Sequence, residues 1–107
     1  MNITFDDFKK LDIRIGKVTA CEKVENADRL LKLQVDFGEF QRQIVSGIAL
    51  WYAPEDLIGK EFPFIVNLEP RAFKGVESQG MIMAAGPEEG AVLLSPDKEV
   101  PPGTIVK

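Results

Sequence analysis

The run Leu31-Lys32-Leu33-Gln34-Val35-Asp36-Phe37 puts an apolar side chain at every second position and a polar one between. Successive side chains of an extended strand point to opposite faces, so the run reads as a strand with one face in a core and one in water. Gly38-Glu39 then reads as a hairpin turn, with residues 40–47 returning as the next strand. This hairpin commits the chain to a β architecture, and the rest must supply its partners.

The same period of two recurs at Leu11, Ile13 and Ile15, predicting a strand from Leu11 to about Ala20, and at Phe62, Phe64, Val66 and Leu68. Pro63 inside the latter predicts an edge strand or a bulge, because proline cannot donate to a ladder. Met81-Ile82-Met83-Ala84-Ala85 reads as one compact fifth strand. Helix signals are brief. Thr4 can cap a short helix through Lys10, with Asp7 three residues on. Pro54-Glu55-Asp56 opens a second that Gly59 can end. Residues 21–29 and 69–79 are polar and turn-rich, and read as loops. Three strands, a short helix and two strands is the order of a five-stranded Greek-key OB barrel. A β-sandwich would need about seven strands. The predicted fold is therefore all-β: an OB barrel over residues 1–85 and a C-terminal extension over 86–107. The barrel does not need that extension, whose apolar Ala91–Leu94 segment is a candidate dimerisation element.

Composition narrows the chemistry. At 107 residues the chain fits one domain, and it has no histidine and one cysteine. Histidine-based acid–base chemistry, Ser-His triads and His- or Cys-rich zinc sites are therefore excluded, and no metal or cofactor is expected. Cys21 cannot form an internal disulfide, the acidic N-terminus does not read as a signal peptide, and no apolar run is long enough for a membrane helix. A cytoplasmic setting is expected. Asp6-Asp7 and Glu55-Asp56 read as helix-start charges, not as catalytic pairs. Gly-x-x-x-x-Gly from Gly75 to Gly80 is followed by Met81-Ile82, not Lys-Ser/Thr, so it is not a P-loop.

The net charge is −4, which by itself argues against a polyanion ligand. The charge is unevenly spread. Residues 9–42 hold eight cations against six acids, whereas residues 81–107 hold two against four. OB barrels bind ligands on the face of strands two and three, between the first and fourth loops. Here the 69–79 loop gathers Arg71, Phe73, Lys74, Ser78 and Gln79: cations for phosphate, a ring for stacking, and polar groups for base edges or sugar hydroxyls. Lys32 projects from strand two, Arg42 from strand three, and Arg14 and Lys17 from strand one. Each has a plainer alternative, since alternating Lys and Gln is usually the wet side of a strand and Phe73 is as readily a core anchor.

These residues carry a family resemblance. Asp12-Ile13-Arg14-Ile15-Gly16-Lys17, Asn26-Ala27-Asp28-Arg29-Leu30, Val35-Asp36-Phe37-Gly38, Arg42-Gln43-Ile44-Val45-Ser46-Gly47-Ile48, Val66-Asn67-Leu68-Glu69-Pro70-Arg71 and Lys74-Gly75-Val76-Glu77-Ser78-Gln79-Gly80-Met81 follow one another in order. Together they resemble the tRNA-binding domain found at the C-terminus of methionyl-tRNA synthetases, in free-standing dimeric tRNA-binding proteins and in endothelial-monocyte-activating-polypeptide modules. The tail is most similar to the synthetase branch. The resemblance implies a homodimeric, non-catalytic module that binds tRNA with little sequence preference and assists a methionyl-tRNA synthetase catalytic domain or subunit. It carries a tRNA-binding role onto Arg71, Lys74, Ser78, Gln79 and Met81, with Arg14, Lys17, Arg42 and Asn67 near that face. A CsaA-type dimeric export chaperone, whose start is similar to Asp7-Phe8-Lys9-Lys10-Leu11-Asp12-Ile13-Arg14, is the alternative. An adaptor that docks other synthetases is a third.

Overall fold

The computed structural model describes residues 1–107 throughout. The chain runs α1 (Phe5–Phe8), β1 (Ile13–Val24), β2 (Ala27–Asp36), β3 (Gln41–Ser46), α2 (Pro54–Leu57), β4 (Glu61–Ile65), β5 (Arg71–Phe73), β6 (Val76–Ser78), β7 (Met81–Ile82), β8 (Ala84–Ala85) and β9 (Val92–Leu93). Five strands form the main sheet in the order β3-β2-β1-β4-β7, with antiparallel pairing throughout.

The alternation in β2 does what the sequence requires. Leu31, Leu33, Val35 and Phe37 are buried in one core with Val18, Ile44, Phe62 and Phe64. Lys32 and Gln34 stay partly exposed. Phe64 meets the Phe37 ring edge-on, 5.4 Å between centroids. That core turns the five strands into the OB-type barrel anticipated from their order.

The sheet edge β3 is joined to β6 and to Gln79 by backbone and side-chain hydrogen bonds. The Gln79 backbone N–H donates to the Gln43 backbone carbonyl (2.7 Å), and the side-chain Oε1 of Gln79 accepts from Gln43 N (2.9 Å). Buried Ser78 Oγ accepts from Val45 N (2.9 Å) and donates to the Gly80 carbonyl (2.9 Å). Backbone groups at such a seam need partners, and here a hydroxyl and an amide substitute for ladder bonds.

Several sequence expectations are corrected. Residues 21–29 are not an open loop. β1 and β2 run on to a tight turn at Glu25-Asn26, where Asn26 takes φ 62°. Residues 69–79 likewise fold into the β5–β6 hairpin, whose turn Lys74-Gly75 has φ 53° and 81°. Positive φ at both central residues is the twist-matched two-residue hairpin turn. The first helix ends at Phe8, and β1 begins at Ile13 with Leu11 exposed. Thr4 does cap that helix, accepting from Asp7 N at 3.1 Å. Pro63 lies in an interior strand, opposite Ile15. Ile15 sends its N–H to Thr104 and its carbonyl to Gly103, so it asks nothing of Pro63. The stretch 81–85 splits at Met83: β7 joins the main sheet, while β8 pairs with β9.

The C-terminal extension is docked on its own barrel. Ile15 N donates to Thr104 O (2.8 Å), Gly103 N to Ile15 O (2.7 Å) and Val106 N to Ile13 O (2.8 Å). This segment occupies the side of β1 that β2 leaves open before Lys17. Ala91 and Leu93 pack against the core, and Leu93 N donates to the Tyr52 hydroxyl. No helix is long and apolar enough to cross a membrane.

Candidate nucleic-acid interface

Two hairpins frame the open end of the barrel. The β1–β2 hairpin and the β5–β6 hairpin face each other across a cleft lined by Asn26, Ala27, Asp28, Arg29, Leu30, Ala72, Phe73 and Lys74. A second cleft adjoins it, sharing Leu30 and Phe73 and adding Ser46, Gly47, Leu68, Arg71, Ser78 and Met81 among others. The seam bonds of Ser78 and Gln79 fix the β5–β6 hairpin to β3, and Gln43 Nε2 adds a bond to the Glu77 carbonyl (2.8 Å). The concave surface therefore rests on the barrel and not on a free loop.

The cations of this surface are among those without a carboxylate partner. Elsewhere Lys10 pairs with Asp7, Arg14 with Asp12 and Lys32 with Glu22. Arg29, Arg71 and Lys74 have no carboxylate at ion-pair distance, although Asp28 and Glu69 line the same clefts. Arg71 lies over the Phe73 ring, 5.0 Å from its centroid. Exposed, unpaired cations beside an aromatic ring suit a phosphate-bearing chain with bases.

The structure sorts the residues singled out from sequence. Arg71, Lys74, Ser78 and Met81 come together on this surface, with Ser78 buried and its hydroxyl committed to the seam. Gln79 stands behind it, its carbonyl accepting from Arg42 Nη1 (3.4 Å). Arg42 also donates to the Val66 carbonyl (3.1 Å) and lies over Phe40, which Arg14 approaches as well, at 4.7 and 5.4 Å from the ring centroid. This pair closes the other end of β3 from Ser46, about 13 Å along the strand at ~3.3 Å per residue. The Arg14 guanidinium is held above its ordinary pKa, chiefly by its hydrogen bond to Asp12. Asn67 fastens the N-terminal segment, accepting from Asp12 N (2.8 Å) and donating to the Lys10 carbonyl (2.7 Å). Lys32 lies on the outer face of the sheet, and Lys17 in a separate cleft beside Trp51, Tyr52 and Lys60. Sequence reasoning left Asn26, Asp28, Arg29 and Ser46 out of the site, although all four fall in motifs already singled out.

The seam is a testable part of this design. Ser78→Ala leaves the buried Val45 N–H without its acceptor, and an orphaned buried donor costs about 1–3 kcal/mol. Urea unfolding should show that loss with an unchanged slope. A loss below about 0.5 kcal/mol would mean that water replaces the hydroxyl.

Cys21 supplies a pH signature. Burial, then Glu22 and Glu55, push its thiol from 9.0 up to about 11. Between those values the unfolded chain releases a proton that the folded chain retains, so stability falls as pH rises above 9 and levels off beyond 11. Alkylation of the native protein should be slow at pH 8 and rise with a midpoint near 11, and Cys21→Ser should remove its share of the alkaline loss. Fast labelling at pH 8 would contradict this.

A five-stranded OB barrel with a concave face edged by unpaired cations defines a small domain of the nucleic-acid-binding class. The comparisons make the class specific. The family model described as "Putative tRNA binding domain" matches residues 13–105, and the chain belongs to this family of tRNA-binding domains. The methionine–tRNA ligase of Archaeoglobus fulgidus is 57% identical over 104 residues, which is 97% of this chain and 16% of that protein. The chain thus spans about 16% of the length of the curated relatives it matches. Among solved structures, a MetRS related protein from Pyrococcus horikoshii superposes with a TM-score of 0.95 at 42% identity, covering 100% of this chain and 99% of that one. The chaperone CsaA from Bacillus anthracis superposes at 0.93 with 37% identity, covering 100% of both.

Proposed function

We propose that this domain binds tRNA on the concave surface between the β1–β2 and β5–β6 hairpins and so assists a methionyl-tRNA synthetase, doing no chemistry itself. The observation that carries the proposal is the set Arg29, Arg71 and Lys74, without carboxylate partners, beside Phe73 in a chain of net charge −4. The likeness to methionine–tRNA ligases supports the partner. The setting is the cytoplasm, where such enzymes work.

The module acts as a homodimer through its C-terminal extension, which leaves Val92, Leu94, Ile105 and Val106 exposed. Weak contacts by each protomer then suffice, since joining two sites adds on the order of 10²–10⁴ in avidity. Sedimentation at micromolar concentration should show a dimer, and a monomer would contradict this.

Fluorescence anisotropy with tRNA at several salt concentrations tests the binding. Three phosphate contacts give a slope of log K against log salt of roughly −2 to −3 per protomer. Arg71→Glu and Lys74→Glu should each weaken binding at least about tenfold and flatten the slope by roughly one. Unchanged affinity in both variants would remove the surface from the proposal. The second reading, a CsaA-type chaperone, rests on the 0.93 superposition. Suppression of client aggregation without any tRNA binding would favour it.

A further inference from the structure

The cleft between the hairpins carries features that phosphate binding does not use. Buried Ala27 and exposed Ala72 line it with side chains too small to fill it, and it measures about 620 Å³. Phe73 forms one wall. Arg71, which covers this ring, lines only the second cleft, and no other ring or cation is stacked on Phe73. The first cleft is therefore left with aromatic surface to offer. Asn26, at the positive-φ position of the turn, and Asp28 also line it, and both are exposed. Neither side chain has a hydrogen-bond partner or a counter-ion in the protein.

Asp28 is out of place in a site that serves phosphate alone. A carboxylate between Arg29 and Lys74 would repel the backbone those cations attract. It is useful if it faces a base. A carboxylate only accepts hydrogen bonds, so it favours an edge rich in donors. Guanine presents two adjacent donors, N1–H and N2–H, on its pairing edge, and a bidentate contact of this kind discriminates among bases. The edge is free only when the base is unpaired and unstacked, as in RNA loops and ends.

We infer that this cleft takes one unstacked guanine of a single-stranded RNA segment, stacked on Phe73 with its pairing edge on Asp28 and Asn26, its flanking phosphates on Arg29 and Lys74. The inference rests on the proposed RNA-binding role of the same surface and adds a base preference to it. Stacking gives affinity to any base, and Asp28 supplies the choice.

The test uses the full chain and fluorescent pentamers UUGUU, UUAUU, UUCUU and UUUUU, with whole tRNA measured in parallel and free GMP as competitor. UUGUU should bind roughly tenfold more tightly than UUUUU. Asp28→Asn should bring the four pentamers within about twofold of one another, because the amide can serve acceptor and donor edges alike. A carboxylate that merely repels RNA would, on its removal, tighten all four equally, which would overturn the inference. Phe73→Leu should weaken every pentamer while circular dichroism shows the fold intact. Wild-type protein that binds tRNA but all pentamers equally would also overturn the inference and leave the tRNA-binding proposal standing. Binding of neither tRNA nor pentamers would overturn both. GMP should compete weakly, lacking the flanking phosphates; GMP binding as tightly as UUGUU would mean a free-nucleotide site instead.

Discussion

Phe64→Ala is expected to lower the unfolding free energy by about 3–5 kcal/mol, the range for removing a fully buried aromatic side chain. Phe64 has no exposed surface, and it sits in β4, an interior strand between β1 and β7, edge-on against Phe37. The ring contact adds roughly 0.5–1.5 kcal/mol to the area that the side chain buries. Neighbours cannot collapse into the space cheaply, because Phe37 is already held by the Phe40 ring on its stacked side (5.3 Å) and by the backbone turn at Gly38. A domain of this size is stable by about 5–15 kcal/mol, so the variant should lose at least about a fifth of its stability. Urea denaturation followed by far-UV circular dichroism measures the loss. Phe5→Ala serves as the control, since Phe5 is 71% exposed, and it should change stability by no more than about 0.5 kcal/mol. Equal small losses in both variants would mean that the barrel core is looser than its packing indicates.

The contrast between Phe64 and Phe5 is also the measure of what the sequence made legible. Burial of one strand face leaves a period of two, and β2 and the strands beside it were found by that period. Hairpin tips leave no such trace. The tips of β1–β2 and β5–β6 bury little beyond Ala27, so their polar residues resembled loops. Their turns depend on positive φ at Asn26 and Lys74, which hydrophobic pattern does not encode. Proline in β4 suggested an edge because the rule for proline concerns the ladder, and the ladder here skips Ile15, whose N–H and carbonyl serve the C-terminal segment. That contact joins residues about 90 apart in sequence, and no local signal reports it.

The site was legible as a composition and less so as a geometry. Arg71, Lys74, Ser78 and Gln79 were singled out because they fit a phosphate chain with bases. The same hydroxyl and amide also fit a barrel seam, and there the structure holds Ser78 and Gln79. Residue type does not distinguish these uses, because both are hydrogen bonding by the same groups. Likewise Arg14 and Arg42 carry the charge a polyanion needs, yet they lie against Phe40, and Arg42 also holds the carbonyls of Val66 and Gln79. The partners of each side chain and its place on the barrel separate Arg14 and Arg42 from Arg29, Arg71 and Lys74, which line the clefts between the hairpins.

Gly103→Val is expected to release the C-terminal segment from β1. Gly103 has φ 93°, a conformation that is strained for any side chain and most of all for a β-branched one. A Cβ at this position would also overlap the carbonyl oxygen of Phe37, which is backbone and has no rotamer by which to withdraw. The strain alone is of order 1–3 kcal/mol, and the overlap adds to it. Release of the segment forfeits the bonds from Gly103 N and Val106 N to β1 and the bond from Ile15 N to Thr104 O. Hydrogen exchange should therefore accelerate strongly at the Ile15 amide, while Leu33 and Val35 in β2 keep their protection. If the proposed dimer forms through this extension, sedimentation of the same variant should show monomers, and deletion of residues 86–107 should give monomers or insoluble protein. An Ile15 amide as protected as in the parent would show that the segment stays docked on β1 despite the substitution. A dimer that survives with Ile15 exposed would place the interface outside the docked strand, and the exposed face of Val92 and Leu94 would be the next to alter.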